Sequence, residues 1–521
     1  MFDRTPINGK VAFMCRSVAY LGIQCQLAKE LLDKHGIRTV LVTNSPQDID
    51  TFRRLGHEPE VFSDVIFIDE IEMGALDDPP LDEHSLQKEI ARVEGASGIK
   101  LTDSIRSDRQ YGMGFITGAK VMRTPFMKEA SYPQLLAVAL RVADFMAAKI
   151  QEYKPGLIIG YPGTLAYDLL IGIAENQGTP VRSLSAPRRG NYFYWAADRF
   201  GLPEQFDVQF GRALERRMVE QKAMSVVMAP ASDTASRPIQ TAGIVSTRKA
   251  GMTVRALLVG IISRCIANFS FYWFKHPRRR MIYLLSDKLA AFVLSWLDSR
   301  RAILGRPLIE QLDPAVRYVF FPMHFEPEAS LLTDAVDSPS QLTIIDWLAR
   351  AAPSGWRVIV KEHPTQMLRR PSGFWETIRR YPNVLVASKY ESGEDLLQRC
   401  EAVAIINGTL GLQAAEQLKP SLCFHRHYIG KVLPQIRLVE SFVAVKDALK
   451  EIASQRSAPP DLWRHANEAW RDAWALHEVP IADSELYYGR PVRKKLPPGE
   501  MTALTESLMT SLKFAAEAGS L

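Results

Sequence analysis

Val358-Ile359-Val360-Lys361-Glu362-His363-Pro364-Thr365-Gln366-Met367 is the stretch that decides how this chain reads. An apolar, β-branched run passes directly into a charged turn, as a buried strand does when its carboxyl end opens onto polar chemistry. The pattern returns at Ala402 to Ile406, an apolar strand running into Asn407-Gly408-Thr409-Leu410-Gly411, which opens a helix. Two polar strand ends of this kind point to one anion-binding crevice.

Outward from these segments, strand and helix signals alternate from Arg317 onward. Strands are expected at Tyr318 to Pro322, Arg357 to Val360, Asn383 to Ala387, Ala402 to Ile406 and Ser421 to Phe424. Helices are expected at Gln341 to Ala351, Gly373 to Arg380, Gly393 to Gln398 and Thr409 to Gln417. The first part of the chain alternates in the same way, with strands at Lys10 to Cys15, Arg38 to Thr43, Asp64 to Asp69, Gly156 to Gly160 and Pro180 to Leu184. Its helices are expected at Ala19 to His35, at Tyr132 to Tyr153 and from the turn Tyr161-Pro162-Gly163-Thr164 to Gln177, while Leu81 to Met127 reads as polar and less regular. Such alternation predicts parallel α/β sheets. The expected division is an α/β domain over 1–204, a connecting basic and aromatic helical segment over 205–315, a second α/β domain over 316–435 and a helical extension over 436–521. Two α/β domains in tandem hold ligands at the carboxyl ends of their strands, in the cleft between them.

Composition limits the function classes. With 521 residues, the chain exceeds one ordinary core and predicts two domains of roughly 200 residues each. Hydrophobic residues at 47% and charged residues at 23% are those of a globular protein, neither disordered nor fibrous. A net charge of +6 admits an anionic ligand or a membrane surface, and no nucleic-acid-binding module is recognisable. Cys15, Cys25, Cys265, Cys400 and Cys423 are few, odd in number and widely spaced, which predicts reduced thiols and no metal site of their own. Met1 to Lys10 is polar and the apolar run after it is too short for a secretory signal, so a cytoplasmic location is expected. Thr253 to Phe274 carries Arg264 in mid-run, which argues against a membrane span.

Lys361 and His363 follow their strand directly, and Pro364 fixes the turn. Lysine supplies a compact charge and histidine a donor near neutral pH, together a grip for phosphate. The plainer alternative makes Lys361 and Glu362 a solvated pair and His363 a helix cap. Asn407, Gly408 and Thr409 offer a small-residue turn, a hydroxyl and helix N-terminal amides, which favour anions. The plainer alternative there is an ordinary turn with Thr409 as the N-cap. A third strand end, Phe321-Pro322-Met323-His324-Phe325-Glu326-Pro327-Glu328, sets His324, Glu326 and Glu328 at the same edge, able to hydrogen-bond a ribose, base or sugar. As an alternative it is a rigid proline-bearing turn. There is neither a Walker loop nor a dinucleotide fingerprint.

In these three segments the chain resembles the capsule polysaccharide biosynthesis family, which includes bacterial Kdo transferases. The matching residues are Phe321 to Glu328, Lys361-Glu362-His363-Pro364 and Asn407-Gly408-Thr409-Leu410-Gly411-Leu412-Gln413-Ala414. The last two also resemble the His-Pro and serine/threonine motifs with which bacterial sialyltransferases hold the CMP part of their donor. The likeness covers about 317–430 firmly; before that it rests on Asp108-Arg109 and on Lys154-Pro155 with the strand that follows. It implies a GT-B-like fold, two Rossmann-like domains facing a central cleft, with the donor nucleotide in the C-terminal one and the acceptor approached from the N-terminal one. Gln413 stands where the family pattern has an acidic residue; a glutamine still hydrogen-bonds a ribose hydroxyl.

The implied chemistry is transfer of a sugar, such as Kdo, from a CMP-linked or other nucleotide donor to a surface polysaccharide or glycolipid. Negative charge grows on the departing phosphate, so Lys361, His363, Thr409 and nearby amides accelerate the step if they bind it more tightly in the transition state. An attacking or assisting carboxylate is expected from the first domain. Asp108 is preferred because Arg106 and Arg109 flank it, its alternative being a surface ion pair. Asp168 is a weaker candidate, expected on a solvated helix face. No Asp-x-Asp forms a convincing metal site, so neither metal nor cofactor is expected. Phe271, Trp273, Arg278, Arg279 and Arg280 suit an anionic membrane surface, or alternatively an interdomain helix with packed aromatics. Two other function classes fit the same motifs: a transferase moving a polyol phosphate from a CDP-linked donor, as teichoic-acid polymerases do, and a non-catalytic glycan-binding or export protein.

Overall fold

The structure, a computed structural model, describes residues 11–17, 20–75, 81–108, 131–186, 191–198, 200–224, 254–270, 285–304, 307–326, 328, 330–364, 370, 373–454, 460–482 and 495–518. It contains the two α/β units expected of a GT-B-like architecture. In the first unit, β1 (Val11–Cys15), β2 (Arg38–Thr43), β3 (Asp64–Phe67), β4 (Leu157–Ile159) and β5 (Val181–Ser185) are parallel and ordered β5-β4-β1-β2-β3. This is the Rossmann order, with its reversal between β1 and β4. Alternate residues feed opposite faces: Phe13, Val40 and Val42 enter one core, and Ala12, Met14 and Leu41 enter the other. Helix α1 (Leu21–His35) ends on Gly36, whose φ of 65° suits a residue without a Cβ.

Leu81 to Met127, expected to be irregular, holds among its described residues, 81–108, the helices α2 (Glu83–Ser97) and α3 (Leu101–Ser107). Their apolar faces are narrow, with only Leu86 and Val93 among the apolar residues buried in α2, so periodicity carries little signal there. Both pack near α4 (Tyr132–Tyr153) and α5 (Leu165–Asn176). An antiparallel strand absent from the expectation, β6 (Tyr192–Ala196), pairs with β5.

The second unit holds β7 (Tyr318–Pro322), β8 (Arg357–Lys361), β9 (Val384–Ala387), β10 (Ala402–Ile405), β11 (Ser421–Cys423) and β12 (Ile436–Leu438). All are parallel, ordered β9-β8-β7-β10-β11-β12, the same topology with the reversal between β7 and β10. The five strands read from the sequence fall where expected, and β12 adds a sixth.

Segments outside the expected domain limits join both units. Helix α6 (Phe206–Met224) buries Phe206 and Phe210 in the second unit's core, alongside α7 (Pro460–Ala475). Residues 436–521 do not stand apart as a helical extension. They supply β12 to the second sheet and β13 (Val479–Pro480) antiparallel to β6 of the first, followed by α8 (Pro498–Ala518), which packs on α1 and β6. Trp474 is fully buried where these parts meet, edge-to-face with Tyr194 at 4.7 Å and against Phe206 at 4.8 Å. Among the described residues no helix is long and apolar enough to cross a membrane.

Trp474→Ala is expected to cost about 3–5 kcal/mol in urea unfolding, since the cavity opens at the junction of the two units. Trp474→Phe is expected to cost less; a deficit below about 1 kcal/mol for the alanine variant would contradict a structural role for the junction.

Candidate functional site

Where strand order reverses, the loops leaving the two central strands diverge to opposite faces of the sheet and leave a crevice. In the second unit those loops are the ones after β7 and β10, and they carry two of the three sequence motifs. The backbone N–H of Asn407 donates to His324 Nε2 at 3.2 Å. His324 Nε2 is therefore an acceptor, which puts the ring proton on Nδ1, 3.1 Å from a Glu328 carboxylate oxygen. The Asn407 side chain donates to Asp334 at 3.3 Å, and Tyr428 donates from its hydroxyl to the Gly408 carbonyl at 2.7 Å.

Helix α9 (Thr409–Glu416) then opens at Gly408, which is its N-cap, with no side-chain cap, so the alternative of Thr409 as the N-cap does not hold. Its dipole and first-turn amides thus face the crevice. Gly411 permits the helix to close on β10, because a Cβ there would lie 2.2 Å from Ile405 and 2.7 Å from the Tyr428 hydroxyl. Thr409 and Gln413, one turn apart, line a small cleft with Asn467, Trp470 and Arg471 of α7.

The third motif follows β8, beside β7. Lys361 is buried at the strand's last position, and burial pushes its ammonium down to about 8 against the opposing pull of Glu391 and Glu362. His363 and Pro364 lie half-buried just beyond. The plainer alternative of a solvated Lys361–Glu362 pair does not hold, since Lys361 is buried; Glu362 accepts from Arg370 Nε at 2.9 Å.

Glu326 is turned inward. One carboxylate oxygen accepts from Gln341 at 2.6 Å and the other pairs with the buried guanidinium of Arg370, which also approaches the His324 carbonyl at 3.4 Å. Burial raises the Glu326 carboxyl while Arg370 opposes the rise. Gln341 in addition accepts from the His324 amide at 2.7 Å. Glu326, Gln341 and Arg370 therefore fix the loop that presents His324 and Glu328.

Across the interface, the first unit contributes the loop after β4, next to its own reversal point. Tyr161 donates to Asp334 at 2.5 Å, and Arg106 donates to the Val336 carbonyl at 2.8 Å. Asp334 thus accepts from Tyr161 on one oxygen and from Asn407 on the other, linking the two strand edges. Phe200 stacks on His427, just past β11, at 3.6 Å and 3° between planes.

Asp108 sits buried at the end of α3, where its carboxylate accepts from the Leu165 amide in the first turn of α5 at 2.8 Å. That is not a surface ion pair, and it lies at the carboxyl edge of the first sheet. Asp168, expected on a solvated face, is buried and accepts from Ser104. Arg106 pairs with Asp103 at 3.3 Å. Arg109, Phe271, Trp273, Arg278, Arg279 and Arg280 lie outside the described residues.

Sequence reasoning missed Tyr161, Asp334, Arg370 and His427. His425-Arg426-His427 directly after an apolar strand was a usable signal; Asp334 and Arg370 lie within helix and loop stretches that give none.

No family model matches the chain, and no curated protein matches it. Among solved structures it is similar to the KpsC beta Kdo 2,4 transferase of Thermosulfurimonas dismutans, with a TM-score of 0.28 and 12% identity over 59% of this chain and 78% of that one. The KpsC beta Kdo 2,7 transferase of the same organism gives 0.30 and 12% over 74% and 93%. UDP-GlcNAc 2-epimerase from Methanocaldococcus jannaschii gives 0.24 and 10% over 89% and 98%. Scores this low carry no argument about activity, and the functional reading rests on the site itself.

Arg370→Met leaves two carboxylates, Glu326 and Glu362, without their buried cation, and a loss of about 3–5 kcal/mol in urea unfolding near neutral pH is expected. Because Glu326 already has a raised carboxyl, the deficit should shrink as pH falls and the acid is protonated. A deficit that stays constant with pH would remove Glu326 from this account.

Proposed function

We propose that this chain is a glycosyltransferase that moves a sugar from a CMP-linked donor, Kdo among the candidates, to a surface polysaccharide or glycolipid acceptor. The observation that carries the reading is the convergence, at the second unit's reversal point, of the His324 and Asn407 strand ends with an uncapped helix N-terminus, beside Lys361 and His363 on the next strand. An anionic leaving group fits such an edge, since cation, amides and helix dipole all favour negative charge. Lys361, His363, Thr409 and the first amides of α9 bind the departing phosphate. Asn407 and Gly408 shape the turn, and His324 with Glu328 holds it. Gln413 offers an amide to the ribose. Glu326 acts at one remove, through the loop.

Asp108 is the proposed carboxylate on the acceptor side. Its bond to the Leu165 amide uses one oxygen and holds the group in place. Asp108→Asn keeps an acceptor for that amide, so it is expected to preserve folding and CMP binding while lowering transfer at least about a hundredfold. Unchanged transfer would leave Asp108 with only its capping role. Transfer is expected to persist in EDTA, the proposed chemistry being independent of metal and cofactor.

In thermal shift measurements, CMP is expected to stabilise the protein, and Lys361→Ala and His363→Ala to abolish the effect. If none of CMP, CDP, UDP and GDP stabilises it, the donor site is wrongly assigned. Lys361 is charged below about pH 8 and neutral above it, so CMP affinity should fall as pH rises through that range, with the midpoint drawn upward by the bound phosphate. Lys361→Arg keeps its charge and should lose that dependence. Transfer from CDP-glycerol but not from CMP-sugars would instead favour the polyol-phosphate reading.

A further inference from the structure

The helices Val254–Ser270 and Leu285–Leu304 lie against each other through a close contact. Gly260 makes that contact possible, because a Cβ there would come within 2.4 Å of the Phe292 ring. The Arg264 guanidinium sits 3.7 Å from the centroid of the same ring and donates to the Gly260 carbonyl at 3.1 Å. These residues define the inward side of Val254–Ser270. The opposite side is apolar and open: Val254, Leu258, Val259, Ile262 and Ile266 are 55, 55, 59, 57 and 64% exposed. Four of them recur every fourth residue, so they form one stripe roughly 18 Å long. Isolated exposed apolar residues need no explanation, but a continuous stripe does.

Charge says what covers it. Between Asp233 and Asp287 the chain contains no acidic residue and nine lysines and arginines, among them the exposed Arg255 in the stripe itself. Arg255 and Arg264 lie on the helix and the other seven flank it in sequence; an acid-free basic stretch repels a second copy of itself, whereas an anionic surface attracts it. The helix is 17 residues long and carries Arg264, too short and too polar to span a bilayer, which takes about 20 apolar residues. An apolar helix face with Arg255 beside it, in a stretch of sequence rich in cations and free of acids, is the pattern of a helix lying in the headgroup layer. We propose that the outward face of Val254–Ser270 rests on an anionic lipid surface. This is independent of the donor site and would hold for any activity of the cleft.

The test is co-sedimentation of the full chain with phosphatidylcholine vesicles, with and without phosphatidylglycerol, at low and physiological salt. Binding is expected to need phosphatidylglycerol, to weaken with salt, and to fall about tenfold or more in Leu258→Glu/Ile262→Glu, whose circular dichroism and melting temperature should match the wild type. Arg255→Glu, a single exposed change, is expected to weaken binding in the same direction. No binding to the anionic vesicles at low salt, or equal binding by the double variant, would overturn the proposal. So would a wild-type dimer in light scattering that the double variant splits, since a second copy would then cover the face.

Discussion

Parallel strands cannot return on themselves through a hairpin, so the chain passes between them by crossovers, and the loop leaving each parallel strand starts at the same carboxyl edge. In the second unit this constraint, applied through one reversal of direction, makes neighbours of β7 and β10. Their loops then meet as the Asn407 amide reaches the His324 ring, a bond between residues 83 apart in sequence. The helix that starts at Gly408 and the lysine at the end of β8 owe their shared location to the same sheet. Nothing local in either motif would bring them together.

Polar groups at that edge fall into two sets with different work. Glu326, Gln341 and Arg370 are buried and satisfied by one another, the condition under which charges are tolerated in a low-dielectric interior. Their role is to hold the loop after β7 rigid. Lys361 is buried as well but is stabilised only in part, and its depressed basicity records the strain of keeping a cation there. An anionic ligand would relieve that penalty, which is the physical ground for proposing Lys361 as a binding residue, whereas Arg370 is already neutralised by Glu326 and Glu362.

The two units are tied at several places rather than by one linker. Tyr161 to Asp334 and Arg106 to Val336 connect them at the cleft. On the far side, the chain's last part runs from the second core back to the first sheet, with Trp474 packed among residues from both. Asp334 is a shared acceptor for Tyr161 and Asn407, so a ligand that moves the Asn407 turn acts on the contact between units as well.

The periodicity of apolar runs was enough to determine the alternating α/β class, the five parallel strands of the second sheet, and the three strand ends His324, Lys361-His363 and Asn407-Gly408, because burial on both faces writes continuous β-branched strands into the chain. It did not show α2 and α3, whose narrow buried faces blur the period, nor β6, β12 and β13, short strands at or next to a sheet edge, of which β13 pairs with a strand far away in sequence. Side-chain roles were less legible still. Glu326 and Glu328 look alike in sequence, yet one is locked to Arg370 and the other holds a histidine; Asp108 and Asp168 look exposed, yet both are buried. Which partner a polar residue finds depends on segments brought together only after the sheets have formed, and that choice belongs to the tertiary structure.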